Sequence, residues 1–519
     1  MKWNKNILRV LLIGSFLAVN ALILFGISSV WSYLNTGADR SAILHLVTEK
    51  SPTYLPSVVW DTTAVEGRLI DQQTLAKVER DYLDGWLVRN NALATNNPYG
   101  ISDYFTKKAR GKLYKILEAN KNSGASFVQT TLEHFPKLNF YSADGTQISF
   151  LDRNVLLYKK SYVDGNPVLE YKETASFQVI MLLEDGFWRV RHFIRVASQP
   201  RKEEEKPSMS DGVKEALSNI KGLNYYPKDS PWDTFGNHYS DSIVAADLRT
   251  IKGMGLNTVR IFIPYADFGK ARIEEDRLAR VRAFLDVAER EGLKVVLTLF
   301  DFYGDYSVPN WTQTFAHAHK MVNALKDHPS LLAWDLKNEP DLDFEARGKE
   351  EVMAWLSELA LRVKKWDGLH PITIGWSSPE AAVNMAKEVD FVSFHYYKDT
   401  GDFISAYEKM LGAIPKGKIT VLQEYGRSSY SGVWNAFLNT EAQQAAFYEE
   451  FQSILDKKQI PFLFWTLYDF KKVPTTVVGS LPWRRAPQRY FGCLDASGKP
   501  KEAYYIFKDT LENRKGNKY

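Results

Sequence analysis

Three patterns of hydrophobic and polar positions divide this chain. The first is an apolar run from Val10 to Val30 that contains no charged residue. Its length matches the roughly 20 residues that a helix needs to cross the hydrocarbon core of a bilayer. Lys2, Lys5 and Arg9 precede it, and that bias keeps the leading end cytoplasmic. The pattern predicts a cytoplasmic stub and single-pass transmembrane anchor over residues 1–31, with everything after it exported. A cleaved signal peptide is the alternative. Against it, the run is longer than the apolar part of a leader, and no small-residue cleavage site follows at once.

The second pattern covers residues 32–197. Residues 32–70 carry few signals and read as a stalk. Leu75, Val78, Tyr82 and Trp86 then recur at helical spacing, and a second helical stretch runs from about Tyr104 to Asn120. After that the period changes to two. Asp144-Gly145, Asp164-Gly165 and Asp185-Gly186 separate strand-like runs, and Asp-Gly is a strong hairpin signal. In the last run Trp188, Val190, His192, Ile194 and Val196 alternate with Phe187, Arg189, Arg191, Phe193 and Arg195. That register places His192 on the apolar face, where a core histidine is expected. Two helices followed by an antiparallel sheet that closes on Leu183-Glu184-Asp185-Gly186-Phe187-Trp188-Arg189-Val190 resemble the cone-shaped, nuclear-transport-factor-2-like fold. Its members serve as enzymes, binding pockets or dimerisation modules. Fold alone therefore gives no function, and the domain is expected to be a spacer or an interaction module for a protein partner.

Pro200-Arg201-Lys202-Glu203-Glu204-Glu205-Lys206-Pro207 is a charge run between prolines, which marks a solvated linker over 198–212. From 213 to 519 the third pattern sets in: short apolar strands alternate with longer amphipathic helices. Strands are expected at 221–226, 257–263, 293–300, 331–337, 371–376, 390–396, 418–424 and 461–467. Leu278, Val281, Leu285 and Ala288 share one face of an intervening helix. Eight such units predict an α/β fold, a (β/α)8 TIM barrel. The alternative, an open doubly wound sheet, lacks the glycine-rich phosphate loop that would follow one of its strands.

A barrel keeps its chemistry at the C-terminal ends of its strands. The fourth strand ends in Asn338-Glu339-Pro340 and the seventh in Gln423-Glu424-Tyr425. Strands four and seven lie on opposed arcs, so the two glutamates face each other across the mouth. A pair of carboxyl groups, one protonated and one ionised, is what glycosidic bond cleavage requires. The plainer alternative for either glutamate alone is a salt bridge at the rim.

With these motifs in view, residues 213–519 resemble a retaining glycoside hydrolase of family 5, the cellulase-like family. The resemblance implies Glu339 as acid/base, Glu424 as nucleophile and a covalent glycosyl-enzyme. It further implies that Asn338 meets the sugar 2-hydroxyl and that Arg260, in Thr258-Val259-Arg260-Ile261, sits beside the nucleophile. His395 and Tyr397 match a strand-six His-x-Tyr, and Trp465 matches the strand-eight indole under the cleaved sugar. Gly492-Cys493-Leu494-Asp495 and Gly498-Lys499-Pro500-Lys501 resemble the closing segment. One departure stands out: after strand three the chain reads Leu299-Phe300-Asp301-Phe302-Tyr303, so Asp301 stands where family members often carry a histidine. Asn224, Tyr225, Trp232, Trp311 and Trp376 are further cleft candidates. Residues 468–490 are expected as a lid or groove wall, or else as a surface loop.

Composition adds exclusions. A net charge of +4, with no basic run interleaved with aromatics, gives no reason to expect nucleic acid. One cysteine, Cys493, excludes an intramolecular disulfide and a thiolate metal cluster. The nine histidines show no ligand spacing, so no metal or other cofactor is expected. The 14 Trp, 27 Tyr and 29 Phe suit large cores, or flat surfaces for sugar rings. Together these readings predict a membrane-anchored, extracytoplasmic endo-type hydrolase of β-linked glucan or mannan, in a bacterial inner membrane or at the cell surface. The alternatives are a transglycosylase on an envelope polysaccharide and a non-catalytic sugar-binding scaffold.

Overall fold

The computed structural model describes residues 14–24, 26–27, 54–198, 209–435 and 438–508. Residues 14–24 and 26–27 are helical. Among the described residues, no helix is long and apolar enough to cross a membrane. This overturns the expected single-pass anchor and the localisation built on it. The expected cytoplasmic stub (1–9), the rest of the expected anchor (10–13, 25 and 28–31), most of the expected stalk (32–53) and residues 199–208 of the expected linker lie outside the described residues.

Residues 54–198 form an α+β unit. The helix Gln72–Thr95 starts at Asp71, whose carboxylate accepts from the Thr74 N–H at 2.8 Å, and it buries Val78, Tyr82 and Trp86 as their spacing predicts. The helix Lys107–Asn122 follows. Seven strands make one sheet: β1 (Ser57–Val58), β2 (Glu66–Gly67), β3 (Ala125–His134), β4 (Pro136–Tyr141), β5 (Gln147–Val163), β6 (Asn166–Glu184) and β7 (Phe187–Val196). Each Asp-Gly pair falls between consecutive strands of β4 to β7. At Asp164-Gly165 and Asp185-Gly186 both residues have positive φ, the turn that suits the twist of a hairpin. In β7 the alternation does not run through. Ile180 pairs with His192 but Met181 pairs with Val190, so Arg191 is an extra, bulged residue. Beyond the bulge the faces exchange. Ile194 is exposed, Phe193 enters the core 4.9 Å from Trp86, and His192 is only half-buried, not the core histidine expected.

Residues 221–464 build a closed barrel of eight parallel strands. These are β8 (Lys221–Asn224), β9 (Thr258–Pro264), β10 (Lys294–Asp301), β11 (Leu331–Asn338), β12 (Ile372–Trp376), β13 (Val392–Tyr396), β14 (Thr420–Tyr425) and β15 (Phe462–Phe464). All eight lie where the apolar runs predict, because a parallel strand covered on both faces reads as continuous hydrophobic sequence. β15 pairs with β8 and closes the ring.

The sheet of the first unit seats one face on the barrel helices Trp311–Leu325 and Lys349–Trp366. Tyr158 lies over Trp311 with ring centroids 4.3 Å apart. Leu132 and Tyr158 join the same apolar core as the barrel residues. Lys172 reaches Glu358 and Lys365 reaches Glu133, each at 2.5 Å. Trp311 therefore belongs to this seam and not to the sugar cleft. Its truncation, Trp311→Ala, should cost about 3–5 kcal/mol through lost burial and a residual cavity. Chemical denaturation of the full chain checks this, and an unchanged midpoint would show that the seam carries no stability.

Candidate active site

Side chains of a strand alternate between the barrel interior and the helix layer. At the C-terminal ends of the strands the inward positions are polar: Asn224, Arg260, Thr298, Asp335, His395 and Glu424, all buried. Gly375 faces the same space. A Cβ there would stand 2.8 Å from the Arg260 guanidinium and 3.2 Å from His395 Nε2, so the site needs glycine at this position.

Arg260 is the hub, and it is fully buried. Its Nη1 donates to Glu424 Oε1 at 2.5 Å and to Asn224 Oδ1 at 3.1 Å. Its Nη2 donates to Asp335 Oδ2 at 2.6 Å and to Asn338 Oδ1 at 2.9 Å. Its Nε donates to Thr298 Oγ1 at 3.0 Å, and the Phe262 ring lies under the guanidinium at 4.4 Å. Burial alone would lower the Arg260 pKa, but the Asp335 and Glu424 charges hold it above its ordinary value. Asp335 also accepts from Thr298 Oγ1 at 2.7 Å and from the Gly375 N–H at 2.9 Å.

Glu339 stands just beyond β11 with φ of 45°, in the left-handed region. Its N–H donates to the Gly375 carbonyl at 2.7 Å, and Pro340 opens the 3-10 turn Pro340–Asp343. A carboxylate oxygen of Glu339 lies 2.9 Å from His395 Nδ1, while His395 Nε2 lies 3.6 Å from Glu424 Oε1. One carboxylate oxygen from each glutamate and a His395 nitrogen all fall within 4.8 Å of one another. Tyr397 exposes 43% of its surface, yet its hydroxyl donates to Glu424 Oε2 at 2.8 Å. Burial of that hydroxyl and the Glu424 charge push it well above its ordinary value, so it remains a donor. Burial also pushes the Glu424 carboxyl above the ordinary carboxylate range, the His395 and Arg260 charges pull it back, and Glu339 adds to the rise. Burial depresses the His395 imidazole, but the two glutamates more than offset it and leave it raised. The same three residues could offer ligand atoms to a cation, but an ion there would stand beside the Arg260 guanidinium.

The other sequence candidates divide. Asn338 joins the cluster through Arg260, and its Nδ2 is 3.4 Å from Asp301 Oδ1. Asn224 locks strand ends together by donating to the Gln423 carbonyl at 2.9 Å. Trp465 is half-buried against Tyr226, ring centroids 5.2 Å apart, in an aromatic wall with Phe262 and Phe470. Trp232 joins that wall, 4.9 Å from Phe470. Phe470 and Val473 bring the start of the 468–490 segment to the same wall. Tyr225 and Trp376 are not brought to the cluster. Tyr225 alternates outward from Asn224, bonds Asp247 at 2.8 Å and packs 5.5 Å from Phe284 in the helix layer. Trp376 alternates outward from Gly375 and is buried near Phe344. Sequence reasoning missed Asp335, Thr298, Gly375 and Tyr226. The available signal for Asp335 was an acid in the middle of the apolar run Leu331–Leu336, since a buried charge must be paired.

A family model described as cellulase (glycosyl hydrolase family 5) matches residues 213–471. The barrel domain of this chain belongs to glycosyl hydrolase family 5. As such it is a glycoside hydrolase domain. Among curated proteins, the β-glucuronidase of Chlorocebus aethiops is 22% identical over 326 residues, spanning 57% of this chain and 45% of that protein. The chain thus spans less than half the length of that relative. A probable mannan endo-1,4-β-mannosidase A of Aspergillus oryzae is 25% identical over 334 residues, 52% of this chain and 84% of that protein. Among solved structures, an exo-β-1,4-mannosidase from Opitutaceae bacterium strain TAV5 aligns with a TM-score of 0.46 at 19% identity, covering 56% of this chain and 59% of that one.

The family 5 barrel here depends on the buried Arg260–Asp335 pair. Asp335→Ala strips acceptors from Arg260, Thr298 and Gly375 together. Breaking a buried pair from one side costs about 3–5 kcal/mol, and that loss should appear in denaturant unfolding. A variant as stable as the parent would show the pair to be dispensable.

Proposed function

We propose that the chain is a retaining, endo-type β-glycosidase with Glu424 as nucleophile and Glu339 as acid/base. The observation that carries this reading is the approach of the two carboxylates. Oxygens within 4.8 Å of each other suit a retaining pair, whose carboxyl groups stand about 5–5.5 Å apart, and not an inverting pair at about 6.5–9.5 Å. Their surroundings support the division of labour. The Glu424 side chain is 6% exposed and takes charged and neutral donors on both oxygens; that of Glu339 is 22% exposed. Donors of that kind favour the ionised form of Glu424.

In the first step a Glu424 oxygen attacks the anomeric carbon, the glycosidic C–O bond breaks, and Glu339 gives its proton to the departing oxygen. In the second, Glu339 takes a proton from water as that water attacks the same carbon and releases Glu424. Arg260 and Tyr397 orient the nucleophile, and His395, between the two carboxylates, positions Glu339. Asn338 meets the 2-hydroxyl, and Trp465 offers its face to the sugar ring. Asp301 completes the wall of the cleft, and Asn224, fully buried, holds Arg260.

The substrate we propose is a β-linked mannan or glucan, and the resemblance to mannan endo-1,4-β-mannosidases supports the first. A sugar hydroxyl in place of water would make the same intermediate a transglycosylase. The division we propose is a small cone-shaped α+β domain with stalk over 32–197, a linker over 198–212 and the hydrolase domain over 213–519. The small domain serves as an interaction or binding module.

Glu424→Ala should abolish turnover of mannan, measured as reducing ends released; parental rates would sink the nucleophile assignment. Glu339→Gln should slow polysaccharide cleavage far more than cleavage of activated aryl glycosides, and equal losses on both would count against its acid role. Tyr397→Phe removes a donor that lowers the Glu424 pKa. Its carboxyl then rises, the ionised form retreats to higher pH, and the acidic limb of the kcat/KM profile should move upward. An unmoved limb would separate Tyr397 from Glu424.

A further inference from the structure

The small domain carries uncompensated positive charge on the sheet face turned away from the barrel. Register decides which side chains stand there. In β5 Lys160 turns toward the barrel, with its ammonium 3.9 Å from Glu351, and in β6 Lys172 bonds Glu358. Their neighbours Lys159, Tyr171 and Glu173 therefore point to the opposite face. Lys159 pairs with Tyr171 across β5 and β6, and with Gln129 across β5 and β3.

The helix Gln72–Thr95 delivers Arg89 to the same place. Its guanidinium lies 5.4 Å from the Trp86 ring centroid and 5.5 Å from that of Phe193. The Lys159 ammonium lies 4.2 Å from the Phe127 ring and 5.9 Å from Tyr171. Arg89 Nη1 is buried with no hydrogen-bond partner. Burial pushes the guanidinium down to about 10. Burial, and then Arg89 itself, push the Lys159 ammonium down. The acid of this neighbourhood, Glu173, is bonded to Arg195 at 2.7 Å. Among the described residues, then, two partly exposed cations stand over neighbouring ring faces without an ion-pair partner for either. A charge taken out of water and left unpaired is a net cost to folding. Phe127 and Tyr171 remain partly exposed, so a ligand can reach this face.

We propose that this cluster of cations and rings binds a carboxylate carried on a flat apolar or sugar-ring body. The guanidinium offers a planar fork of donors that matches a carboxylate. Lys159 supplies a second charge, and the ring faces of Phe127 and Tyr171 cover the body of the ligand. Two sources share that chemistry, an acidic sugar and a free aromatic acid.

The test is calorimetric titration of the full chain with sodium glucuronate, sodium benzoate and sodium phosphate. Binding of glucuronate identifies an acidic sugar, and binding of benzoate a free acid. In either case Arg89→Gln should weaken binding by at least about tenfold, and Lys159→Ala should weaken it independently. Arg89→Gln removes an unpaired charge, so its unfolding midpoint without ligand should stay level or rise. Should that variant fail to fold, Lys159→Ala decides alone. Three results would overturn the proposal: neither carboxylate binds, binding survives both substitutions as a site in the barrel would, or phosphate binds as tightly as the carboxylates.

Discussion

A fully buried arginine governs the barrel. Removing a guanidinium from water costs several kcal/mol even after relaxation, so Arg260 is tolerable only with acceptors on every side. Glu424, Asp335, Asn224, Asn338 and Thr298 supply them. These acceptors come from the first, third, fourth and seventh strands of the barrel, and Arg260 itself from the second. The demand for pairing thus draws most of the C-terminal rim into one network and aligns the two glutamates as a by-product. Asp335 matters here because it satisfies Arg260 from below and leaves Glu424 Oε2 to Tyr397.

The same economy of charge explains the asymmetry between the carboxyl groups. Glu424 lies deep and takes a guanidinium and a phenol; Glu339 sits at a strand end, turned by a left-handed backbone toward His395. A pair of acids in contact cannot both ionise freely. A donor-rich environment on one side and a more solvated one on the other divides the proton between them. The small domain shows the reverse condition: Arg89 and Lys159 are held against aromatic rings without counter-charge, which is an arrangement that a ligand completes.

Several features were legible before any coordinates. Eight apolar runs named the barrel strands, since a parallel strand covered on both faces has no solvent side to interrupt its hydrophobic sequence. The three Asp-Gly pairs named the hairpins of β4 to β7. The tips of strands four and seven named Glu339 and Glu424, because strand order alone places those tips across the mouth. The apolar run Val10–Val30 misled: its composition suggested a span, whereas among the described residues no helix is long and apolar enough to cross a membrane.

What the residues by themselves determined, then, was period, turn chemistry and the strand end on which each acid sits, all of which are local. Tertiary structure decided everything that depends on two distant segments meeting. It turned Tyr225 and Trp376 outward beside inward Asn224 and Gly375. It moved Trp311 to the seam with Tyr158. It shifted Phe193 into the core through one bulged residue, Arg191, that no periodicity announces. It also set Asp335 beneath Arg260, from residues 75 apart in the chain. A buried charge finds its partner only when the barrel closes, and the partner can come from any strand.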